Sequence, residues 1–262
     1  MKQYIRLITF AMIAMMGMSL ASCSNDDDDN KVEYKDISLT CKEEYKITGS
    51  GDEIWTSSNK NIASVSEDNV VTAKLVGEAM ISSSKGSFKV NVSSKNNAFN
   101  DPFLEWGAPK SKVKSFHGNS TPIKDTNKDL VYQYAGGNAL TMYMFESGAL
   151  SSAGVGLTSS YTSSDRLIDH LTDRYIPVQT DKDNYSFYFV SPDEKTMLML
   201  KLETSGTKVL YVIVYAPINN NRTRAGMPLH NRLTSAMECF YNCGPSDAVA
   251  GEFNRISSML KR

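Results

Sequence analysis

"KTMLMLKLETSGTKVLYVIVY", residues 195 to 215, holds two apolar runs on either side of a Ser-Gly turn. In the first run Leu198, Leu200 and Leu202 alternate with Met199, Lys201 and Glu203, the period of a strand with one face covered. The second run is apolar throughout, and its aliphatic set Val212 and Val214 is the one that matches the three leucines. That pairing places Leu198, Leu200, Leu202, Val212 and Val214 under helices, and turns Met199, Lys201, Glu203, Tyr211 and Tyr215 outward. Aromatic residues and methionine are enriched at the centres of interfaces. Met199, Lys201, Tyr211 and Tyr215 are therefore the candidate partner-binding residues, unless loops, the N-terminal region or the tail cover that face.

Working outward, the same plan occurs twice between residues 99 and 217. Pro109 stands where a helix can start, Val113 and Phe116 give it an apolar face, and Gly118 stops it. Strand-like runs follow at residues 130 to 134, 140 to 146 and 150 to 157, split by Gly136-Gly137-Asn138 and Ser147-Gly148. Then Thr162-Ser163-Ser164-Asp165 opens a second helix in capping-box style, with Leu167, Ile168, Leu171 and Tyr175 as its buried stripe. Runs at 185 to 190, 197 to 203 and 209 to 215 complete the repeat. Two helix-plus-three-strand units sharing one antiparallel sheet make an α+β domain. Its plan resembles the tandem αβββ folds of β-lactamase-inhibitor proteins and small outer-membrane assembly lipoproteins, a likeness of topology that carries no residues across.

Upstream, residues 34 to 94 read as short strands punctuated by turns. Ile37, Leu39 and Cys41 alternate, as do Phe88, Val90 and Val92, while Gly49-Ser50-Gly51-Asp52 and Asp68-Asn69 are turn chemistry. Trp55-Thr56-Ser57-Ser58-Asn59, Ile62-Ala63-Ser64-Val65, Val70-Val71-Thr72-Ala73 and Gly77-Glu78-Ala79-Met80-Ile81 follow in order. In that order and spacing they resemble the bacterial Ig-like domain of group 2. The resemblance implies a small β-sandwich that serves as a spacer, or itself adheres, and brings no catalytic residue. Asn69 stands where that family usually has glycine, and asparagine tolerates the same left-handed backbone. The fold class is thus mostly β with α+β: an Ig-like β-sandwich followed by the tandem αβββ domain. Residues 93 to 98 read as a polar linker.

At the start of the chain, Lys2 and Arg6 precede an uncharged apolar run from residue 7 to residue 21. At a rise of about 1.5 Å per residue such a run covers about 22 Å, short of the roughly 30 Å hydrocarbon core, so residues 1 to 22 have the layout of a signal peptide. Leu20-Ala21-Ser22-Cys23 resembles the lipobox of bacterial lipoproteins, which implies lipidation at Cys23 and a membrane held through acyl chains. Residues 23 to 33 then form an acidic linker. Within it Asp26, Asp27, Asp28 and Asp29 resemble the export signal that sends some lipoproteins to the outside of the outer membrane; a solvated spacer on a periplasm-facing lipoprotein has the same composition.

Composition and the remaining motifs narrow the function classes. The chain has 28 Lys plus Arg against 29 Asp plus Glu, and 26 against 29 once residues 1 to 22 are removed. Such a balance excludes the electrostatics of a nucleic-acid binder. Residues 218 to 262 combine a polar linker with two amphipathic stretches, Leu229, Leu233, Met237 and Phe240, then Phe253, Ile256 and Leu260. Cys239 and Cys243 are spaced for a disulfide or two idle thiols, and no paired Cys/His motif beside them makes a zinc site. His117, His170 and His230 fall in three separate elements, with no HExxH, G-x-S-x-G or phosphate-cradling loop. The expectation is a non-enzymatic chain without metal or cofactor. It is either a surface-exposed, lipid-anchored binding or adhesion protein meeting a protein or glycan, or an assembly lipoprotein or protein inhibitor at the outer membrane or in the periplasm.

Overall fold

The computed structural model describes residues 34 to 49, 51 to 205, 208 to 218 and 247 to 261. The fold is mostly β, of the α+β class. Strands β1 (Ile37–Thr40), β2 (Glu44–Lys46), β3 (Thr56–Ser57), β4 (Ala63–Val65), β5 (Val70–Ala73), β6 (Gly77–Ser82) and β7 (Ser87–Ser93) form two facing sheets. Their orders are β1-β7-β6-β3 and β2-β5-β4. All their pairings are antiparallel except β1 with β7, which run parallel. The alternation seen in the sequence is the reason they face: Phe88, Val90 and Val92 point inward with Ala79 and Ile81 to meet Trp55, Ile62, Ala63 and Val71 from the other side.

Turn chemistry fixes the sandwich's corners. Ser57 Oγ accepts from Asn59 N–H at 3.2 Å, and Asn59 Oδ1 accepts from Asn61 N–H at 3.0 Å, so the Ser-Ser-Asn turn is bonded through its side chains. Asn69 sits at φ 58, in the left-handed region it tolerates. Gly77 has φ 147, a conformation L side chains rarely adopt, and a Cβ there would also crowd Ile62 Cδ1 at 2.7 Å.

A third sheet has eight antiparallel strands. Helix α1 (Lys110–Phe116) precedes β8 (Lys124–Asp125), β9 (Asp129–Tyr134), β10 (Ala139–Glu146) and β11 (Ala149–Thr158). Helix α2 (Ser164–Thr172) precedes β12 (Ile176–Asp181), β13 (Ser186–Val190), β14 (Thr196–Ser205) and β15 (Lys208–Pro217). The order β12-β13-β14-β15-β11-β10-β9-β8 joins the two units through their last strands. Each unit is thus a helix and four strands rather than three. The extra strands are the sheet's outermost: β8 is two residues long, and β12 carries Pro177, which an edge strand tolerates because no ladder bond needs its missing N–H.

One face of this sheet carries α1, α2 and a third helix, α3 (Asp247–Met259). Val113, Leu167, Ile168, Leu171, Phe253 and Ile256 fill the layer between helices and sheet. Phe116 departs from its expected role on the buried face of α1: it is 54% exposed, and Val113 is the buried residue of that helix. The α2 cap also moves by one residue. Ser163, not Thr162, is the N-cap and accepts from Arg166 N–H at 3.4 Å. On the opposite face Tyr188, Met199, Leu210, Val212, Val214 and Ala216 form a separate buried cluster to which no described helix contributes.

The segment expected to be a polar linker is bonded along its length. The buried Asp173 carboxylate accepts from Ser94 Oγ at 2.5 Å and Asn96 Nδ2 at 3.3 Å, while its backbone carbonyl accepts from Val76 N–H at 2.7 Å. Arg174 donates to the carbonyl of Asn96 at 3.2 Å, to Asn97 Oδ1 at 2.7 Å and to Asp101 Oδ2 at 2.9 Å. Ala98 and Phe99 then enter the hydrophobic layer of the large sheet. Residues 34 to 261 accordingly belong to one compact unit.

Candidate functional site

The four residues expected to form an exposed patch do not. Register places Tyr211 opposite Leu202 and Tyr215 opposite Leu198, so both tyrosines lie under the helices, and Val212 and Val214 take the other face beside Lys201 and Met199. Because β15 is apolar on both faces, alternation carried no information about which face the helices take; cross-strand pairing decides it. Tyr211 Oη donates to Glu252 Oε1 of α3 at 2.9 Å, and burial together with that bond pushes its hydroxyl well above its ordinary pKa. Tyr215 is fully buried, with its ring 6.0 Å from that of Tyr175. Met199 is buried as well, and Lys201 is half-buried and paired with Glu203 at 2.7 Å. Cys23, Asp26, Asp27, Asp28 and Asp29 lie outside the described residues, as do Leu229, His230, Leu233, Met237, Cys239, Phe240 and Cys243.

What the fold builds instead is a cavity of about 370 Å³ on the helix side of the sheet, over β9, β10 and β11. Ala139, Thr141, Val155 and Leu157 make its floor. Its walls come from the bonded segment at Phe99 to Pro102 and from the end of α1, with Tyr161 on a third side. Phe116, Tyr134 and Tyr161 stand at the rim, 54%, 36% and 37% exposed. These rings keep part of their apolar surface in water beside the recess, surface whose burial by another group would be favourable.

His117, just past the last turn of α1, organises the polar side. Its Nε2 is 2.8 Å from Tyr143 Oη, its Nδ1 is 2.8 Å from Tyr134 Oη, and its ring stacks on Tyr132 at 3.9 Å. Tyr143 Oη also accepts from Phe103 N–H at 3.1 Å. Counting protons assigns the direction. Were Nε2 to carry the hydrogen, Tyr143 Oη would accept twice, and its own proton would have no acceptor among the described residues in a buried site, a cost of about 1–3 kcal/mol. The satisfied arrangement has Tyr143 O–H donating to Nε2 and Nδ1–H donating to Tyr134 Oη. That leaves the Tyr134 hydroxyl proton facing the cavity, and the chain of bonds strengthens it as a donor. Burial lowers the imidazole pKa of His117, which keeps the ring neutral, as this arrangement needs.

Asp101 supplies the acceptor. His170 Nε2 donates to Oδ1 at 3.1 Å and Arg174 Nε to Oδ2 at 2.9 Å, while Ala98 N–H donates to His170 Nδ1 at 3.4 Å. Burial acts to raise this carboxyl, but the bond from His170 and the Arg174 guanidinium outweigh it and hold the carboxyl below its ordinary value. A carboxylate has about four lone-pair sites, so Asp101 keeps acceptor capacity toward the cavity it lines. None of these residues had a spacing signal. Asp101 and His117, separate in sequence, meet because the segment before α1 and the end of α1 wall the same recess, with His170 of α2 bonded behind Asp101; the one trace in sequence is the tyrosine alternation of Tyr132 and Tyr134 on β9.

Among the described residues no three His, Cys, Asp or Glu side chains lie together as a metal would need, and no helix is long and apolar enough to cross a membrane. No protein family matches the sequence, and no curated protein does. Among solved structures, domains 4–9 of the surface layer protein SbsC align with 71% of this chain and 26% of that one, at 13% identity and a TM-score of 0.19. The chain spans about a quarter of the length of that structure, and a likeness this low carries no argument about fold or function.

Proposed function

We propose that the chain is a lipid-anchored envelope protein that presents a small-ligand binding module on a spacer. In this reading Cys23 carries the anchor and Asp26 to Asp29 direct display at the cell surface. Residues 34 to 94 are a group 2 bacterial Ig-like spacer, and the eight-stranded unit binds through the recess at Tyr134. The observation that carries the binding role is the cavity of about 370 Å³ with three exposed aromatic rings at its rim. That volume lies within the roughly 300–1,000 Å³ of ordinary ligand pockets. His117 supports binding over catalysis, because both of its ring nitrogens are engaged by tyrosine hydroxyls. A general base must reach the proton it abstracts. The Ig-like resemblance is supported by Asn69 at φ 58, where that family usually has glycine, and by the side-chain-bonded Ser-Ser-Asn turn.

The test is a thermal-shift and NMR screen of a small-molecule and glycan library against the mature protein and its Ser120→Trp variant. Ser120 is exposed and lines the cavity, so tryptophan there plugs the recess without entering the core. Hits that bind the parent and fail on the variant, at equal melting temperature, support the reading; a library in which nothing distinguishes the two refutes it. Fractionation of Cys23→Ser tests the anchor separately, since that variant is expected to leave the membrane.

A further inference from the structure

We infer that the recess takes a neutral, polyhydroxylated ring, a sugar residue of a glycan, in preference to an acid, a cation or an apolar molecule; this deepens the binding reading above and rests on it. The first ground is charge. The ionisable groups that line the cavity are Asp101, His117, Tyr134 and Tyr161. The Asp101 carboxylate is already answered by Arg174, and the imidazole is kept neutral by its place in the tyrosine chain. No Lys or Arg lines the cavity among the described residues. An anion would therefore find no cation and would face a carboxylate, and a cation would find its counter-charge taken. Burying an unmatched charge costs far more than any hydrogen bonds made inside would return.

Hydrogen bonding is the second ground. Tyr134 offers a proton, Asp101 offers lone pairs, and Thr141, Ser120 and Asn100 each offer both. A ligand that satisfies such a mixed set needs groups that donate and accept at once, which is the character of ring hydroxyls. The third ground is shape. A sugar ring has an apolar C–H face edged by hydroxyls. Phe116 and Tyr161 give an apolar face at the rim that would pack against it, with Tyr134, Asn100 and Ser120 as polar groups beside them at the mouth and Thr141 on the floor. The volume is at the small end of the pocket range, suited to one or two rings.

The experiment is a printed array of neutral and acidic glycans, followed by calorimetry with the best neutral sugar. The same protein is titrated in parallel with the matching uronic acid and with the apolar fluorophore anilinonaphthalene. The expected result is saturable binding of a neutral sugar, lost in Ser120→Trp. It should weaken about tenfold in Tyr134→Phe, where the ring stays and the hydroxyl's bonds to ligand and to His117 go, and by a similar factor in Phe116→Ala, with the melting temperature unchanged in Phe116→Ala and lowered by no more than a few degrees in Tyr134→Phe. Nitrogen NMR of His117 should show the Nδ1–H tautomer in wild type. If the acid or the fluorophore binds in a manner that Ser120→Trp abolishes while no neutral sugar does, the ligand class is wrong and the recess stands. If nothing binds in a manner sensitive to Ser120→Trp, both readings fall. A sugar that binds Tyr134→Phe as well as wild type overturns the assignment of the Tyr134 proton.

Discussion

The two halves of the eight-stranded sheet follow one plan and are finished differently. Over the second half, α2 is joined by α3, whose Phe253 stacks on Phe187 at 4.8 Å and whose Glu252 takes the Tyr211 hydroxyl. Over the first half there is only the seven-residue α1, held by Val113, and the space a further helix would fill is partly taken by the segment from Phe99 to Pro102. The remainder is the cavity. The scaffold repeats, but one copy gains a further helix while the other keeps a recess with exposed aromatic rings at its rim. The difference lies in what covers the strands, not in the strands themselves.

The largest test of that difference is Phe253→Ala. It leaves a hole between α3 and the sheet and should lower unfolding free energy by about 3–5 kcal/mol in a denaturant titration. If it cost less than about 1 kcal/mol, α3 would not be part of the core. Next is Arg174→Met, which unties the end of α2 from the segment that walls the open half. Arg174 is mostly buried but the Asp101 side chain is 41% exposed, so solvent screens the pair and a loss of about 1–2 kcal/mol is expected at pH 7. Its pH dependence follows from Asp101, whose folded pKa is held below its ordinary value. The pair's contribution is therefore present above the unfolded carboxyl pKa and disappears as pH falls through the folded one. The gap between wild type and Arg174→Met should close in acid; a constant gap would show that the arginine acts by packing alone.

Tyr143→Phe comes third, at about 1 kcal/mol, since it takes the Tyr143 link out of the relay and keeps the ring. Nitrogen NMR should then show His117 no longer held as one tautomer, and an unchanged spectrum would refute the assigned direction of the relay. His117 also has a sign to check. Its folded pKa is lowered, so the unfolded chain binds the proton first, and stability falls as pH drops from about 6.5 toward the folded value. Replacing it with glutamine should flatten that limb of the stability curve. Smallest is Phe116→Ala, expected within about 0.5 kcal/mol of wild type because the ring is at the rim. A loss as large as that of Phe253→Ala would put it in the core and remove the contrast between the halves.

The sandwich was legible in sequence because each strand has one polar and one apolar face: Phe88, Val90 and Val92 could point only one way. The helices were legible through Val113 and through Leu167, Ile168 and Leu171. Illegibility began where both faces are apolar. Nothing within "VLYVIVYA" separates Tyr211 from Val212, and the answer depended on a partner strand and on a glutamate 41 residues away. β12 was hidden by its proline and β8 by its length. The recess was hidden for another reason. Asp101, His117, Tyr134 and Thr141 come from a bonded loop, a helix end and two strands, and only the packing of α1 and α2 on one face makes them neighbours.

The parallel pair of β1 and β7 has a mechanical consequence. Ile37 to Thr40 lie beside Val90 to Ser93, and both strands run the same way. A pull on the chain ahead of Tyr34, resisted beyond Ser93 by the bonds of Asp173 and Arg174 to residues 94 to 101, drags the two strands past each other along their length. Every bond of the ladder is then loaded together instead of being peeled open one at a time. The first and last strands of the sandwich are thus paired to resist shear between Tyr34 and the segment beyond Ser93. Single-molecule extension from those two points should show one high rupture force, and extension across β6 and β7, an antiparallel hairpin that unzips, a much lower one.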